Sequence, residues 1–187
     1  MVEDVRIIKN KRNIEAALIN LLKEKDFIHI TIKDICEASL TSRSTFYSHY
    51  LDKYDLLEKI VTHYTDLIKQ KAQVRFFQMQ SDNIETFIKE MAQTYLQHQE
   101  DLKVLLKVHI PNGDLRAKIE EILFSQCHAF LQQQQQKMTI VSTELLARLY
   151  VANVFALINW ILEHGVDDRT IHFANDVQNY IFKISSI

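Results

Sequence analysis

Apolar residues recur at helical spacing along nearly the whole chain. Between Val5 and Lys25, residues Ile14, Ala17, Leu18, Leu21 and Leu22 follow i, i+3, i+4 and i+7 spacing, which predicts one buried helical stripe. "DFIHI" (Asp26–Ile30) breaks the period. Thr31 then stands as a helix N-cap with Asp34 at the capping-box position, and a short helix from Ile32 to about Ala38 buries Ile35. A tight "SLT" connection follows, and Thr41 or Ser42 caps the next helix, drawn from "TSRSTFYSHY" (Thr41–Tyr50). From Asp52 and Lys53, a long helix keeps Leu56, Leu57, Ile60, Val61, Tyr64, Leu67 and Ile68 in period, on into the seventies. The two short helices lie three or four residues apart, the spacing of a helix-turn-helix.

The second half repeats the pattern. After a cap-rich break at Ser81–Asn83, helices are predicted from Ile84 to about Gln97 and over "HQEDLKVLLKVH", the latter stopping before Pro111–Gly113. A long helix runs from Asp114 to about Lys137, its run of glutamines reading as a solvated end. Ser142 opens a helix over Thr143–His164, and Gly165 closes it. That helix is apolar almost all round, so every face must be covered. The last helix, from Arg169 to about Ile184, carries a stripe of Phe173, Val177, Tyr180, Ile181 and Ile184. Two such helices in succession suggest a homodimeric four-helix interface containing Phe155, Ile158, Leu162, Phe173, Val177 and Tyr180. A purely internal core is the alternative.

Composition narrows the fold class. The chain has 187 residues, 47% hydrophobic and 25% charged, with only 2 Gly and 1 Pro. Turn-rich β architectures depend on those two residues, so an all-α protein is expected. Gly113 and Gly165 are the only glycines, which excludes phosphate-cradling and dinucleotide-binding glycine loops. No nucleophile–base–acid set stands out, and an enzyme is not expected. No two of the eight histidines are four residues apart, so neither a metal site nor any other cofactor is expected. Cys36 and Cys127 are far apart and read as buried free thiols of a reducing compartment. The start is charged, and the apolar run Tyr150–Leu162 is short for a membrane and holds Asn153 and Asn159. A cytoplasmic protein without a membrane partner is expected.

The net charge of −2 leaves any nucleic-acid contact to a local patch. "TSRSTFYSHY" is such a patch. It has five Ser/Thr hydroxyls, two tyrosines, an Arg and a His, and no acid occurs from Ser39 through Leu51. Small hydroxyls let a helix approach phosphates closely, and Arg reads guanine O6 and N7 as a bidentate pair. The competing reading is a solvated surface helix with Phe46 and Tyr50 turned inward.

"ITIKDICEASLTSRSTFYSHYLDKYDLL" (Ile30–Leu57) closely resembles the DNA-binding signature of TetR/AcrR-family transcriptional regulators, and "RNIEAALINLLKEKDF" resembles that family's first helix. The resemblance is specific over about Lys11 to Leu57; beyond that it is one of architecture. It implies an N-terminal helix-turn-helix DNA-binding domain over 1–54 and a helical effector-binding and dimerisation domain over 55–187, with about nine helices in all. It also implies that Thr31 touches phosphate and that Arg43 and Ser44 reach base edges. Thr45 and Tyr47 would clamp phosphates, Ser48 and His49 would face the groove or backbone, and Lys53 would hold a phosphate at a helix N-terminus. Thr41 and Ser42 belong to the same surface. Two departures bear on the turn. The family carries Gly where Leu40 stands and an apolar residue where Thr41 stands, and a turn needing φ > 0 makes Leu40 costly. A further family Gly is Asp26 here, milder because Asp tolerates the left-handed region.

The resemblance further implies a small-molecule effector in the second domain, with Phe87, Tyr95, His109, Phe124, His128, Tyr150 and Asn153 as candidate lining residues. The functional expectation is a homodimeric regulator that binds a double-stranded DNA operator and is released from a palindromic site by its effector. A co-activator or protein-binding helical module of the same fold stays open beside it.

Overall fold

In the computed structural model, residues 5–78, 84–133 and 141–184 are described, all but a few connecting residues in helices. Nine α-helices occur among the described residues: α1 (Val5–Glu24), α2 (Ile32–Ser39), α3 (Arg43–Tyr47), α4 (Lys53–Gln78), α5 (Ile84–Gln97), α6 (Gln99–Leu105), α7 (Leu115–Gln133), α8 (Thr143–His164) and α9 (Asp168–Ile184). A single 3₁₀ turn, Phe27–His29, follows α1. The expected breaks at Ser81–Asn83 and beyond Gln133 fall outside the described residues.

Contacts divide the chain into two units. One holds the residues up to Thr65 with Glu100–Arg116, the other Asp66–Gln99 with Ala117 onward. The line between them runs through α4 and α7.

In the first unit, α1 packs on α2 through Ile14, Ala17, Leu18 and Ile35, with Phe27, Phe46, Tyr50, Leu56 and Leu57 completing the core. The α2 N-terminus carries a full capping box. Thr31 Oγ1 accepts from Asp34 N–H (3.2 Å), and Asp34 Oδ2 accepts from Thr31 N–H (2.9 Å). Lys25 from the end of α1 reaches the same carboxylate at 2.8 Å. Together these hold the Asp34 pKa at about 2, first through Lys25 and then through the Thr31 bonds. Asp26 is extended (φ −61°, ψ 144°), so its tolerance of the left-handed region is not used.

Leu40 ends α2 in the left-handed conformation, φ 53° and ψ 37°, and Thr41 N–H returns to the Cys36 carbonyl at 3.0 Å. The turn does need positive φ, so a residue with a Cβ carries strain there of about 1–2 kcal/mol. Gly113 is required for a different reason. It has ordinary φ, but a Cβ on it would lie 2.6 Å from Leu57 Cδ2 and 2.9 Å from Ile110 Cγ1.

In the second unit, α5, α8 and α9 pack against one another. The whole of α8 is longer than the apolar run suggests; by length and composition it could cross a membrane, with mean hydropathy 1.7 over 18 residues. Its burial is that of a helix in a bundle: Leu146, Ala147, Tyr150, Phe155, Ile158, Ile161 and Leu162 are buried, while Leu145, Leu149 and Trp160 are exposed.

Candidate nucleic-acid interface

The hydroxyls of "TSRSTFYSHY" first organise their own segment. Ser42 is the N-cap of α3. Its Oγ accepts from Thr45 N–H (3.1 Å) and lies 2.8 Å from Ser44 Oγ and 2.9 Å from Thr45 Oγ1. Ser48 Oγ donates to the Thr45 carbonyl at 2.7 Å. Regular helix covers only Arg43–Tyr47, shorter than the stretch suggests, because such side-chain bonds compete with helix continuation. Thr41 lies 2.7 Å from Ser39 Oγ, and Ser39 also donates to the Cys36 carbonyl. Two polar side chains thus satisfy each other where an apolar residue was expected at Thr41. Burial raises the thiol pKa of neighbouring Cys36; it and Cys127 are both buried and free of disulfides.

Phe46 and Tyr50 anchor the segment. Phe46 is fully buried, and Tyr50 donates its hydroxyl to Glu15 Oε1 (2.9 Å) on α1. Burial, followed by the Glu15 charge, pushes the Tyr50 pKa up. Lys59 donates to the His49 carbonyl (3.0 Å) and to Asp55 (2.9 Å), and sits 5.0 Å over the Tyr50 ring. With the anchors inward, Ser42, Arg43, Ser44, Tyr47 and Ser48 are exposed, and Thr41, Thr45 and His49 half-buried. Of the flanking acids, exposed Glu37 pairs with Lys33 at 3.8 Å, and two others serve the start of α4. Asp52 caps the α4 N-terminus, accepting from Tyr54 and Asp55 N–H at 2.8 and 2.9 Å, and Asp55 accepts from Leu51 N–H.

Two members of the proposed contact set have other work. Thr31 is exposed, but its N–H is taken by Asp34. Lys53 is further from expectation. Its ammonium donates to three backbone carbonyls, Phe27 (3.0 Å), Ile28 (3.0 Å) and Ile30 (2.7 Å), and lies 4.8 Å from the Phe27 ring centroid. An ammonium has three protons, and all three are used within the chain. Burial lowers the Lys53 pKa. The side chain ties the start of α4 to the connection between α1 and α2 and has no proton left for a phosphate.

Two concavities lie among the described residues of the second unit that bear on the expected effector site. A small apolar cavity of about 40 Å³ is lined by Phe87, Tyr95 and Tyr150, with Ile68, Met91, Leu123, Ile158 and Gln178 among its other walls. Among the described residues, no charged side chain lines it. That space holds a few water molecules at most. Gln178 is buried and was not anticipated, since a polar residue within an apolar stripe gives no sign of facing inward. The other expected lining residues lie elsewhere. Phe124 and His128 stack on each other at 5.4 Å, with Arg148 over the Phe124 ring. His109 belongs to the first unit, exposed and paired with Asp114 at 2.8 Å. Asn153 lines an open groove of about 440 Å³ along α8 and α9 instead, together with Trp160, Arg169 and Phe173.

The six residues expected at an interface separate by burial. Phe155, Ile158 and Leu162 are buried inside the unit. Phe173 (69% exposed), Tyr180 (68%) and Trp160 (51%) face outward, and Val177 is half-buried. No group of metal-ligating side chains occurs among the described residues.

No protein-family model matches the chain. A 48-residue stretch is 40% identical to the HTH-type transcriptional regulator YxbF of Bacillus subtilis, covering 26% of this chain and 13% of that protein. Solved structures match over nearly the full length. NalD of Pseudomonas aeruginosa, the secondary repressor of the MexAB-OprM multidrug efflux pump, superposes with a TM-score of 0.69 at 16% identity, covering 95% of this chain and 97% of that one. A TetR transcriptional regulator from Streptococcus agalactiae gives 0.62 at 25% identity over 98% of both chains. The fatty acid degradation regulator FadR of Bacillus halodurans gives 0.63 at 16% identity, covering 92% and 94%.

Proposed function

We propose that this chain, which has the fold of the TetR-family transcriptional regulators, is a homodimeric DNA-binding regulator that represses from a palindromic operator. The observation that carries this reading is the α3 surface. Its anchors Phe46 and Tyr50 are buried, while Arg43, Ser44, Tyr47 and Ser48 are exposed, with no acid from Ser39 through Leu51. A surface that is basic, hydroxyl-rich and free of carboxylates suits a phosphate backbone, and Arg43 suits a guanine edge. Operator binding places the protein in the cytoplasm with the DNA. The exposed Trp160, Phe173 and Tyr180 supply the apolar face for a second copy. The effector would be an uncharged, largely apolar molecule, because the cavity walls carry two tyrosines and a glutamine but no charge. Its entry requires α5, α8 and α9 to part, since the present space is far below the usual size of a ligand pocket, about 300–1,000 Å³.

Gel-shift assays on duplexes selected from a random pool test this reading. Wild type should select an inverted repeat. Arg43→Ala should weaken binding by about 1–3 kcal/mol and relax preference at one position of each half-site. An Arg43→Ala variant with unchanged affinity and unchanged preference would remove the assignment.

A further inference from the structure

Leu40 sits in the turn between α2 and α3, where its backbone is left-handed at φ 53°. A glycine would make the same turn without strain. The chain carries instead a branched apolar side chain that is 94% exposed, the most exposed large apolar residue described. Singly exposed leucines are ordinary on a protein surface. This one is held in a conformation unfavourable to it and packs against almost nothing in its own unit, so neither local backbone preference nor core packing accounts for it. Strain that the fold does not need points to a partner. The side chain directly precedes Thr41 and the exposed run Ser42, Arg43 and Ser44, so it belongs to the edge of the surface assigned above to DNA. Among base edges in the major groove, the apolar group is the C5-methyl of thymine.

We propose that Leu40 is a specificity-determining residue whose side chain seats on a thymine C5-methyl group in each operator half-site. This rests on the DNA-binding reading above and adds to it a base that Arg43 and the hydroxyls do not select.

The test uses the full-length chain and its selected operator, with each thymine replaced in turn by deoxyuridine, which lacks only the methyl group. Wild type should lose about fourfold in affinity at one thymine per half-site, the worth of one buried methyl-sized group. Leu40→Gly should still bind, should melt no lower than wild type, and should be indifferent to the same replacement. Leu40→Met, which keeps an apolar side chain, should retain the sensitivity. The proposal is overturned if wild type is indifferent at every thymine, or if Leu40→Gly remains as sensitive as wild type. Failure of wild type to retain any duplex overturns the DNA-binding reading along with it, and so is distinguishable from failure of the Leu40 contact alone.

Discussion

At Leu40 the backbone strain and the exposed side chain have opposite consequences for stability and recognition. Leu40→Gly relieves the left-handed strain and loses almost no packing, while the unfolded chain gains freedom. The balance should favour the variant by up to about 1 kcal/mol in urea denaturation. Ser42 works the other way. Its hydroxyl caps α3 and joins the Ser44 and Thr45 hydroxyls, so Ser42→Ala should cost about 1 kcal/mol in the same assay. Lys53→Met keeps most of the side-chain volume but takes the ammonium from the Ile28 and Ile30 carbonyls and leaves Phe27 only its bond from Ile30 N–H, at a cost of about 2 kcal/mol. Because Lys53 has no proton to spare, the slope of log affinity against log salt should stay at its wild-type value in this variant. A slope reduced by about one unit would show a phosphate contact. None of this was legible at Lys53 in the sequence, because its acceptors come from 23 to 26 residues earlier and carbonyls leave no mark in composition.

Among the elements, the helices were the easiest to read. A strict 3.6-residue period and the scarcity of Gly and Pro left few alternatives, and caps such as Thr31, Ser42 and Ser142 marked their starts. The extent of α3 was harder, since the hydroxyls that suggest a DNA surface also end the helix. The faces of α8 were hardest. A helix apolar all round has no periodicity to separate inside from outside, so Phe155, Ile158 and Leu162 could not be told from Leu149 and Trp160. The α2 N-terminus predicts an acid response. Asp34 has a folded pKa of about 2, below the unfolded value of about 3.9. A depressed carboxylate adds stability that is complete above the unfolded pKa and is lost as pH falls through the folded one. The stability difference between wild type and Asp34→Asn in urea melts should therefore be largest near neutrality, shrink below about pH 5, and be lost at about pH 1.

For the whole molecule, the proposed function calls on two surfaces, one in each unit. The exposure of the first, with Phe46 and Tyr50 turned inward, could be read from its composition, which is unusual for a helix. The second was only half legible, since it requires knowing which apolar residues a core has already claimed. Replacing Phe173 with Glu places a charge in the α8–α9 groove without touching the unit's interior, and sedimentation should show this variant as a monomer where wild type is a dimer. Its operator affinity should fall because the two half-sites are no longer bound together. The central claim, that the α3 surface docks on duplex DNA, is tested most directly by footprinting the purified chain on the DNA flanking its own gene across a salt series. A protected inverted repeat is expected, with an affinity that falls about a thousandfold between roughly 50 and 200 mM salt. No protection at the low-salt end, or protection without a repeat and indifferent to salt, would contradict it.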